Sequence, residues 1–127
     1  MSGRIVVLST VGKAEDAERI GRALVERRLA ACVNIVPAVT SIYRWKGSVE
    51  KEEERLLLIK TRAERFPALR EALVALHPYE VPEVLALSIE DGHEPYLEWL
   101  DQNVNVRRRR ARAAGRPPGL PRPRTRR

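Results

Sequence analysis

One short loop carries most of the side chains that could do chemistry: His77-Pro78-Tyr79-Glu80-Val81-Pro82-Glu83. Its two prolines fix φ and hold the residues before them outside the helical region, so the loop should be rigid. The neutral imidazole of a histidine such as His77 is a common type of metal ligand. Glu80 and Glu83 could join it in a mixed oxygen and nitrogen site, or act as the acid and base of a hydrolytic centre.

Each of these residues also has a structural interpretation. His77 could end the preceding helix, by donating to its last carbonyls or through a favourable interaction with the helix dipole. Glu80 and Glu83 could be ordinary surface acids, because their spacing around Val81-Pro82 does not assure a common direction. The sequence favours these structural roles, and His77 remains the best candidate for a metal ligand.

Cys32 is the second candidate ligand and the only cysteine of the chain. Its soft thiol could bind Cu(I) or Zn(II). Because Cys32 lies between Ala31 and Val33 in a predicted buried strand, where free cysteine usually behaves as a small hydrophobe, we expect it in the core. A lone cysteine excludes an intrachain disulfide, which is typical of a reducing compartment. The other histidine, His93, is expected to be solvated in a turn.

A third group of residues could line a ligand cleft between subunits: Trp45, Lys60, Tyr79 and Glu83. Aromatic residues in such positions are more often interface anchors, and the sequence favours that role for Trp45 and Tyr79. The chain has no glycine-rich phosphate loop, no Cys-x-x-Cys, no His-Glu-x-x-His and no serine nucleophile motif. We therefore expect neither an enzyme nor an organic cofactor.

A long β-hairpin from Val39 to Thr61 must position the cleft residues. Its arms are rich in strand-forming residues and meet at Lys46-Gly47-Ser48, where glycine can adopt the positive φ of a short hairpin loop. Arms of about ten residues would exceed 30 Å at ~3.4 Å per residue, whereas a 100-residue domain has a radius of gyration of only ~13 Å. The tip should overhang its own domain, and a partner subunit is expected to cover it.

The remaining elements follow from apolar periodicity and from turn residues. Glu50 to Arg55 are six polar side chains that predict a solvated outer half of the hairpin or a subunit boundary.

The second helix starts either at a capping box on Thr61 or nearer Arg65, with Pro67 in its first turn. The predicted elements are a strand at 4–10, a helix at 13–28, an extended segment at 29–36 with a bulge at Pro37, the hairpin, a helix at 61–76, a strand at 84–89 and a short helix from Pro95. In the first helix the residues expected to face inward are Ala17, Ile20, Gly21, Leu24 and Val25. In the second helix they are Ala68, Leu69, Ala72, Leu73 and Leu76.

This order, β-α-β-β-α-β plus a final helix, is the ferredoxin-like split βαβ plan of an α+β protein. One face of its four-stranded antiparallel sheet carries both main helices. The opposite face is left free, which again indicates a partner.

The charge divides the chain into a domain at 1–104 and a tail at 105–127. The net charge is +7, but ten of the 24 basic residues are arginines of the tail, which leaves 14 basic against 17 acidic residues in the domain. With four prolines and no aromatic residue, the tail is predicted to be disordered. It could bind nucleic acid through phosphates, although the lack of aromatic residues for base stacking favours a solvated extension.

No stretch is apolar enough to span a bilayer, so we expect a soluble cytoplasmic protein without membrane contact.

Four blocks of residues together carry a family resemblance. They are Leu29-Ala30-Ala31-Cys32-Val33-Asn34-Ile35, Ser41-Ile42-Tyr43-Arg44-Trp45-Lys46-Gly47, Leu58-Ile59-Lys60-Thr61 and the loop from His77 to Glu83. In this order and spacing, over about residues 4–103, the chain resembles the CutA divalent-cation tolerance proteins. The tail lies outside the resemblance.

The resemblance implies a ferredoxin-like protomer in a tight homotrimer, with long hairpins extending onto neighbouring copies. It also implies a cytoplasmic protein linked to tolerance of divalent metals, chiefly copper, without a known enzymatic turnover. The family's proposed copper ligands are a cysteine at the end of strand one and two adjacent histidines at the start of the loop. Here Ser9 and Leu76 stand at two of those positions, and only His77 matches. A single imidazole would need other protomers, carboxylates or water to complete a copper site.

Overall fold

Four strands and three α-helices form residues 2–104, the part of the chain that the computed structural model describes. They are β1 (Arg4–Val11), α1 (Ala14–Glu26), β2 (Cys32–Trp45), β3 (Ser48–Arg62), α2 (Phe66–Leu76), β4 (Leu85–Ile89) and α3 (Glu94–Val104), with a 3-10 turn at Ala63–Arg65 before α2. The predicted disordered tail at 105–127 lies outside the described residues. Within them, no helix is both long and apolar enough to cross a membrane.

The strands form one sheet in the order β2-β3-β1-β4, and every neighbouring pair is antiparallel. Burial alternates along β1, as expected when only one face of a sheet is covered. The covered face packs on α1 and α2 around one apolar core of Ile5, Val7, Val11, Ala17, Ile20, Leu24, Leu29, Ala30, Leu57, Ile59, Leu69 and Leu73. The predicted α+β fold with a four-stranded antiparallel sheet is confirmed.

The hairpin of β2 and β3 has arms of 14 and 15 residues. Lys46 and Gly47 form its two-residue turn with φ of 51° and 87°, the positive values that match the right-handed twist of the strands. The β2–β3 register shifts between Val36 and Val39, so the predicted bulge at Pro37 is confirmed. β1 pairs with β3 only as far as Arg55, and the hairpin beyond that residue has two strands rather than a wider sheet.

The start of the second helix agrees with one of the two alternatives. α2 begins at Phe66, with Pro67 in its first turn, where the missing N–H of proline removes no helical hydrogen bond. Thr61 caps no helix, because its hydroxyl is buried and donates to the carbonyl of Leu29 at 2.8 Å.

Several predicted positions differ in the structure. Cys32 is half-buried rather than in the core, because it begins β2, an edge strand that pairs with β3 alone. Residues 29–31 are buried but precede the strand, since Arg28 turns the chain with a φ of 59°. Val25 and Ala68 are exposed, because each lies about 100° around its helix from a buried leucine, Leu24 or Leu69.

An ion-pair cluster joins α3 to the ends of β1 and β3. The carboxylate of Asp101 accepts hydrogen bonds from Arg4 Nε at 3.0 Å and Nη2 at 2.7 Å, and from Arg62 Nη1 at 2.9 Å. Desolvation alone would raise the pKa of Asp101, but the hydrogen bonds from the two arginines outweigh it and hold this pKa below its usual range. The cluster fixes α3 at the end of the sheet that lies away from the hairpin tip.

We predict that Asp101→Asn lowers the free energy of unfolding by about 1 kcal/mol, a value kept small because the pair is partly exposed to solvent. Since folding depresses the pKa of Asp101, its contribution is present above the unfolded pKa of ~3.9 and is lost as the pH falls through the folded value. Urea denaturation at pH 7 and at pH 3 measures both effects. Glu98→Gln, an exposed change on the same helix, is the control. An equal effect of the two variants at pH 7 would refute the role of the cluster.

Candidate functional site

A groove of about 800 Å³ lies between the outer part of the hairpin and the loop at 77–84 that connects α2 to β4. Five carboxylates line this acidic groove: Glu50, Glu52 and Glu54 from β3, and Glu80 and Glu83 from the loop. Three aromatic side chains complete much of its wall: Tyr43, Trp45 and Tyr79. The groove begins where β1 ends, because there the sheet narrows and the hairpin face is left open.

The three glutamates of β3 face the groove together because they are two residues apart. Side chains at i, i+2 and i+4 of a strand point to the same face of the sheet. No ion pair joins any of the five groove carboxylates to a basic side chain within residues 2–104. The groove therefore carries an uncompensated negative charge in that part of the chain, and it is suited to a cationic ligand.

His77 ends α2 and is only 7% exposed. Its Nε2 lies 2.8 Å from the carbonyl oxygen of Thr10, and its Nδ1 accepts a hydrogen bond from the backbone N–H of Tyr79 at 3.1 Å. Since a carbonyl can only accept, this pairing requires the neutral imidazole with the proton on Nε2. Nε2 thus holds the start of the loop against β1, and Nδ1 fixes the backbone of the loop at Tyr79. The predicted position at the helix end is correct, but the ring bonds to β1 and to its own loop rather than to the last carbonyls of α2.

Tyr79 crosses from the loop to the hairpin. Its hydroxyl donates to Glu54 Oε2 at 2.5 Å, and Glu54 is only 5% exposed, although the polar run from Glu50 to Arg55 predicts a solvated segment or a boundary. Burial raises the pKa of Tyr79, and the hydrogen bond to the Glu54 carboxylate raises it further. The hydroxyl also lies over Gly12, where an added Cβ would stand 3.2 Å from it, so a glycine permits this close approach.

The structure brings only some of the predicted site residues together. Trp45, Tyr79 and Glu83 all line the acidic groove. Lys60 does not line the groove, because it lies near the other end of β3, where its ammonium group donates to the side-chain amide oxygen of Asn34 on β2. Cys32 lies opposite Lys60 and contacts the same amide, with its Sγ 3.7 Å from Asn34 Oδ1.

The two predicted metal ligands, His77 and Cys32, do not share a site. His77 bonds to Thr10, which pairs with Leu56, whereas Cys32 pairs with Lys60 on the other side of β3. Leu56 and Lys60 are four residues apart on β3, so the two candidate ligands are attached about 13 Å apart along this strand. Across residues 2–104, no three side chains of histidine, cysteine, aspartate or glutamate converge in a way that could hold a metal ion.

Sequence reasoning did not place Tyr43 in the cleft, and it missed the three groove glutamates of β3: Glu50, Glu52 and Glu54. Their i, i+2, i+4 spacing was a usable signal, but Lys51 and Glu53 between them made the segment look uniformly polar. The hydrogen bond from Thr10 Oγ1 to Glu83 Oε1, at 3.4 Å, had no sequence signal because it joins residues far apart in the chain.

Comparisons with known proteins agree on one family. Residues 5–103 match the family model described as CutA1 divalent ion tolerance protein. The chain is similar to the divalent-cation tolerance protein CutA of Thermus thermophilus, with 58% identity over 99 residues that cover 78% of this chain and 96% of the relative. It is also similar to mouse protein CutA, with 55% identity over 68% of this chain but only 49% of the relative, so it spans about half of that protein.

Solved structures agree with the sequence relatives. The structure of the divalent cation tolerance protein Cut A1 from Thermus thermophilus superimposes with a TM-score of 0.77 at 57% identity, covering 79% of this chain and 97% of that one. The crystal structure of CutA from Xylella fastidiosa gives a TM-score of 0.78 at 41% identity, covering 80% and 98%. The shared fold therefore includes nearly the whole of both solved chains.

We predict that Tyr79→Phe lowers the free energy of unfolding by about 1–3 kcal/mol, because it leaves the buried carboxylate of Glu54 without its donor. Since folding raises the pKa of Tyr79, its contribution is present below the unfolded pKa of ~10 and is lost as the pH rises above it. The stability difference between wild type and variant, measured in urea, should therefore shrink at alkaline pH. Tyr43→Phe removes a more exposed hydroxyl that bonds Glu52, and it should cost much less because water can replace this bond. Equal costs at the two positions would contradict a special role for the bond to Glu54.

Proposed function

The chain belongs to the CutA1 divalent ion tolerance family, and from this premise we propose that it is a cytoplasmic, homotrimeric protein of divalent-cation tolerance that binds such cations weakly in the acidic groove. The observation that carries this proposal is the set of five groove carboxylates without a basic partner in the described residues. We assign the groove a role in binding rather than in catalysis.

Oxygen ligands on an open wall support weak binding of a hard or borderline divalent cation. Because the described residues hold no converging group of three ligands, water or a neighbouring copy would complete the coordination. Affinity should then be low, in the range of sites that exchange their ion freely. Such a protein would bind cations only when they are abundant, which fits a role in tolerance.

A copper site centred on His77 fits the structure less well. Both nitrogens of its buried ring already bond to protein groups, so coordination would first break the bond to Thr10 or to the Tyr79 amide. We assign His77 the role of a positioning residue that holds the loop with Glu80 and Glu83 beside the hairpin. Cys32 lies outside the groove and has no part in this proposal.

The homotrimer is supported by apolar surface that a single copy leaves open. Ile42 on the hairpin is 68% exposed, and Leu85 and Leu87 on β4 are about half exposed. These side chains lie on the hairpin and on the free part of the sheet, where the family resemblance implies contact between copies. Burying them against sister copies would also remove the unpaired edges of β2 and β4 from solvent. The ferredoxin-like plan of the protomer is supported by the strand order β2-β3-β1-β4.

A second function is favoured by the aromatic wall of the groove. Tyr43, Trp45 and Tyr79 could hold an organic cation or another small ligand through ring contacts. The protein would then be a trimeric binding scaffold with only an indirect link to metals. Inorganic cation binding measured without any organic ligand separates the two functions.

We predict that the full chain sediments with three times its 14.5 kDa mass at micromolar concentration. Leu87→Glu, outside the groove, should weaken the assembly by at least about tenfold, because it places a charge in an apolar contact. Analytical ultracentrifugation over a dilution series measures both. Val74→Glu, on the exposed surface of α2, is the matched control and should leave the assembly unchanged. A wild type that stays monomeric at these concentrations would refute the trimer.

We also predict weak binding of Mn(II), with a dissociation constant of roughly 10⁻⁴–10⁻³ M as at weak oxygen-ligand calcium sites, and tighter binding of Cu(II). The triple variant Glu50→Gln, Glu80→Gln and Glu83→Gln should weaken both by about tenfold, since it removes charge without changing shape. His77→Asn loses the imidazole bond to the Thr10 carbonyl and loosens the loop, so it should weaken both cations by the same factor, smaller than that of the triple variant. Isothermal titration calorimetry on metal-free protein makes these measurements.

The control for this titration is the triple variant Glu26→Gln, Glu71→Gln and Glu98→Gln, which removes three exposed charges from the helices. It should bind as the wild type does. Loss of Cu(II) binding in His77→Asn alone, with Mn(II) unaffected, would make the imidazole the ligand and would contradict the assignment to the groove. Absence of any cation binding by the wild type would favour the scaffold function.

A further inference from the structure

We propose that the arginine-rich segment at 105–127 of this chain docks into the acidic groove of the same or a neighbouring copy. The segment would act as a tethered cationic ligand of the groove. This inference goes beyond the function proposed above and holds whether or not a divalent cation also binds there.

The groove presents the chemistry that such a segment needs. Glutamates at 50, 52 and 80 line it without an ion-pair partner in residues 2–104. Guanidinium groups pair with carboxylates in a planar, two-pronged geometry and also stack on aromatic rings. The rings of Tyr43 and Trp45 stand on the same wall. The acidic groove therefore offers both kinds of partner that arginine uses.

The proposed occupant has the complementary composition. Residues 105–127 contain ten arginines and no acidic residue, whereas residues 1–104 carry three more acidic than basic side chains. Four prolines also fall in this segment. Proline-rich segments in an extended conformation dock in aromatic-lined grooves, because their backbone loses little entropy on binding.

The length of the segment is sufficient for this docking. Asp101 holds α3 near Arg4 and Arg62, and the groove begins beside Thr10, six residues further along β1, which is about 20 Å away. Glu50, at the far end of the groove, lies twelve residues from Arg62 along β3, about 40 Å away, and 23 residues can reach at most ~75 Å. A tether of this length gives the segment a local concentration in the millimolar range, so weak ion pairs suffice.

Tryptic release of the segment tests the proposal on the full chain in metal-free, low-salt buffer with chelator. Docked arginines should be cut slowly, and the variant with Glu50→Gln, Glu52→Gln and Glu80→Gln should be cut about tenfold faster, the effect expected of three exposed ion pairs. Replacing the same three residues by lysine should raise the rate further. In 1 M salt, where the Debye length is about 3 Å, wild type and variants should be cut at one rate.

The matched control is again the helix variant Glu26→Gln, Glu71→Gln and Glu98→Gln, which has the same net charge as the groove variant. It should be cut as slowly as the wild type, with circular dichroism confirming that all variants are folded. Equal cleavage of the wild type and both triple glutamine variants at low salt would overturn the proposal. So would equal acceleration in the groove and helix variants, because that result would reflect net charge alone. Since no metal is present, none of these outcomes depends on the cation binding proposed above.

Discussion

The β2–β3 hairpin is longer than the body that supports it, and the other features of the molecule follow from this constraint. β1 stops opposite Arg55, so the outer part of the hairpin has no third strand beside it. The loop at 77–84 covers the first exposed stretch by placing Tyr79 on Glu54. Beyond that contact the face of the hairpin is open, and the acidic groove forms there. The position of the groove is thus set by the length of β1, not by the residues that line it.

Two hydrogen-bonded contacts keep the loop in place. His77 bonds to the Thr10 carbonyl at the end of β1, and Tyr79 bonds to Glu54 on β3. Each contact removes a polar group from water, and each satisfies that group with a specific partner, which is the condition under which burial of polar groups is tolerated. The buried hydroxyl of Ser9 on β1 lacks such a partner within the described residues. The loop therefore depends on a small number of specific pairings, and its glutamates stay beside the hairpin only while these hold.

Local patterns were sufficient to predict most of the fold. The apolar run of β1, the turn at Lys46-Gly47 and the bulge at Pro37 each depend on residues close together in the chain, and all three were predicted correctly. The burial of Cys32 was not predicted correctly. It depends on whether β2 lies at an edge or in the centre of the sheet, and only long-range strand pairing decides this. The same limit applied to the site. Trp45, Tyr79 and Glu83 could be grouped from residue type, but the partner of His77 is a backbone carbonyl, and every residue has one.

If copies of the chain associate through the hairpin, the negative charge of the groove couples cation binding to that association. Glu50, Glu52 and Glu54 stand side by side on one strand face, and their mutual repulsion grows when a neighbouring copy excludes water from the hairpin. A cation that enters the groove lowers this repulsion, whether it is a metal ion or a guanidinium group. If hairpins of sister copies meet beside the groove, cation binding and assembly must then favour each other by equal free energies, because coupling between two binding equilibria is reciprocal. In such an assembly, an acidic groove without basic partners on an overhanging hairpin would make association responsive to the surrounding cations.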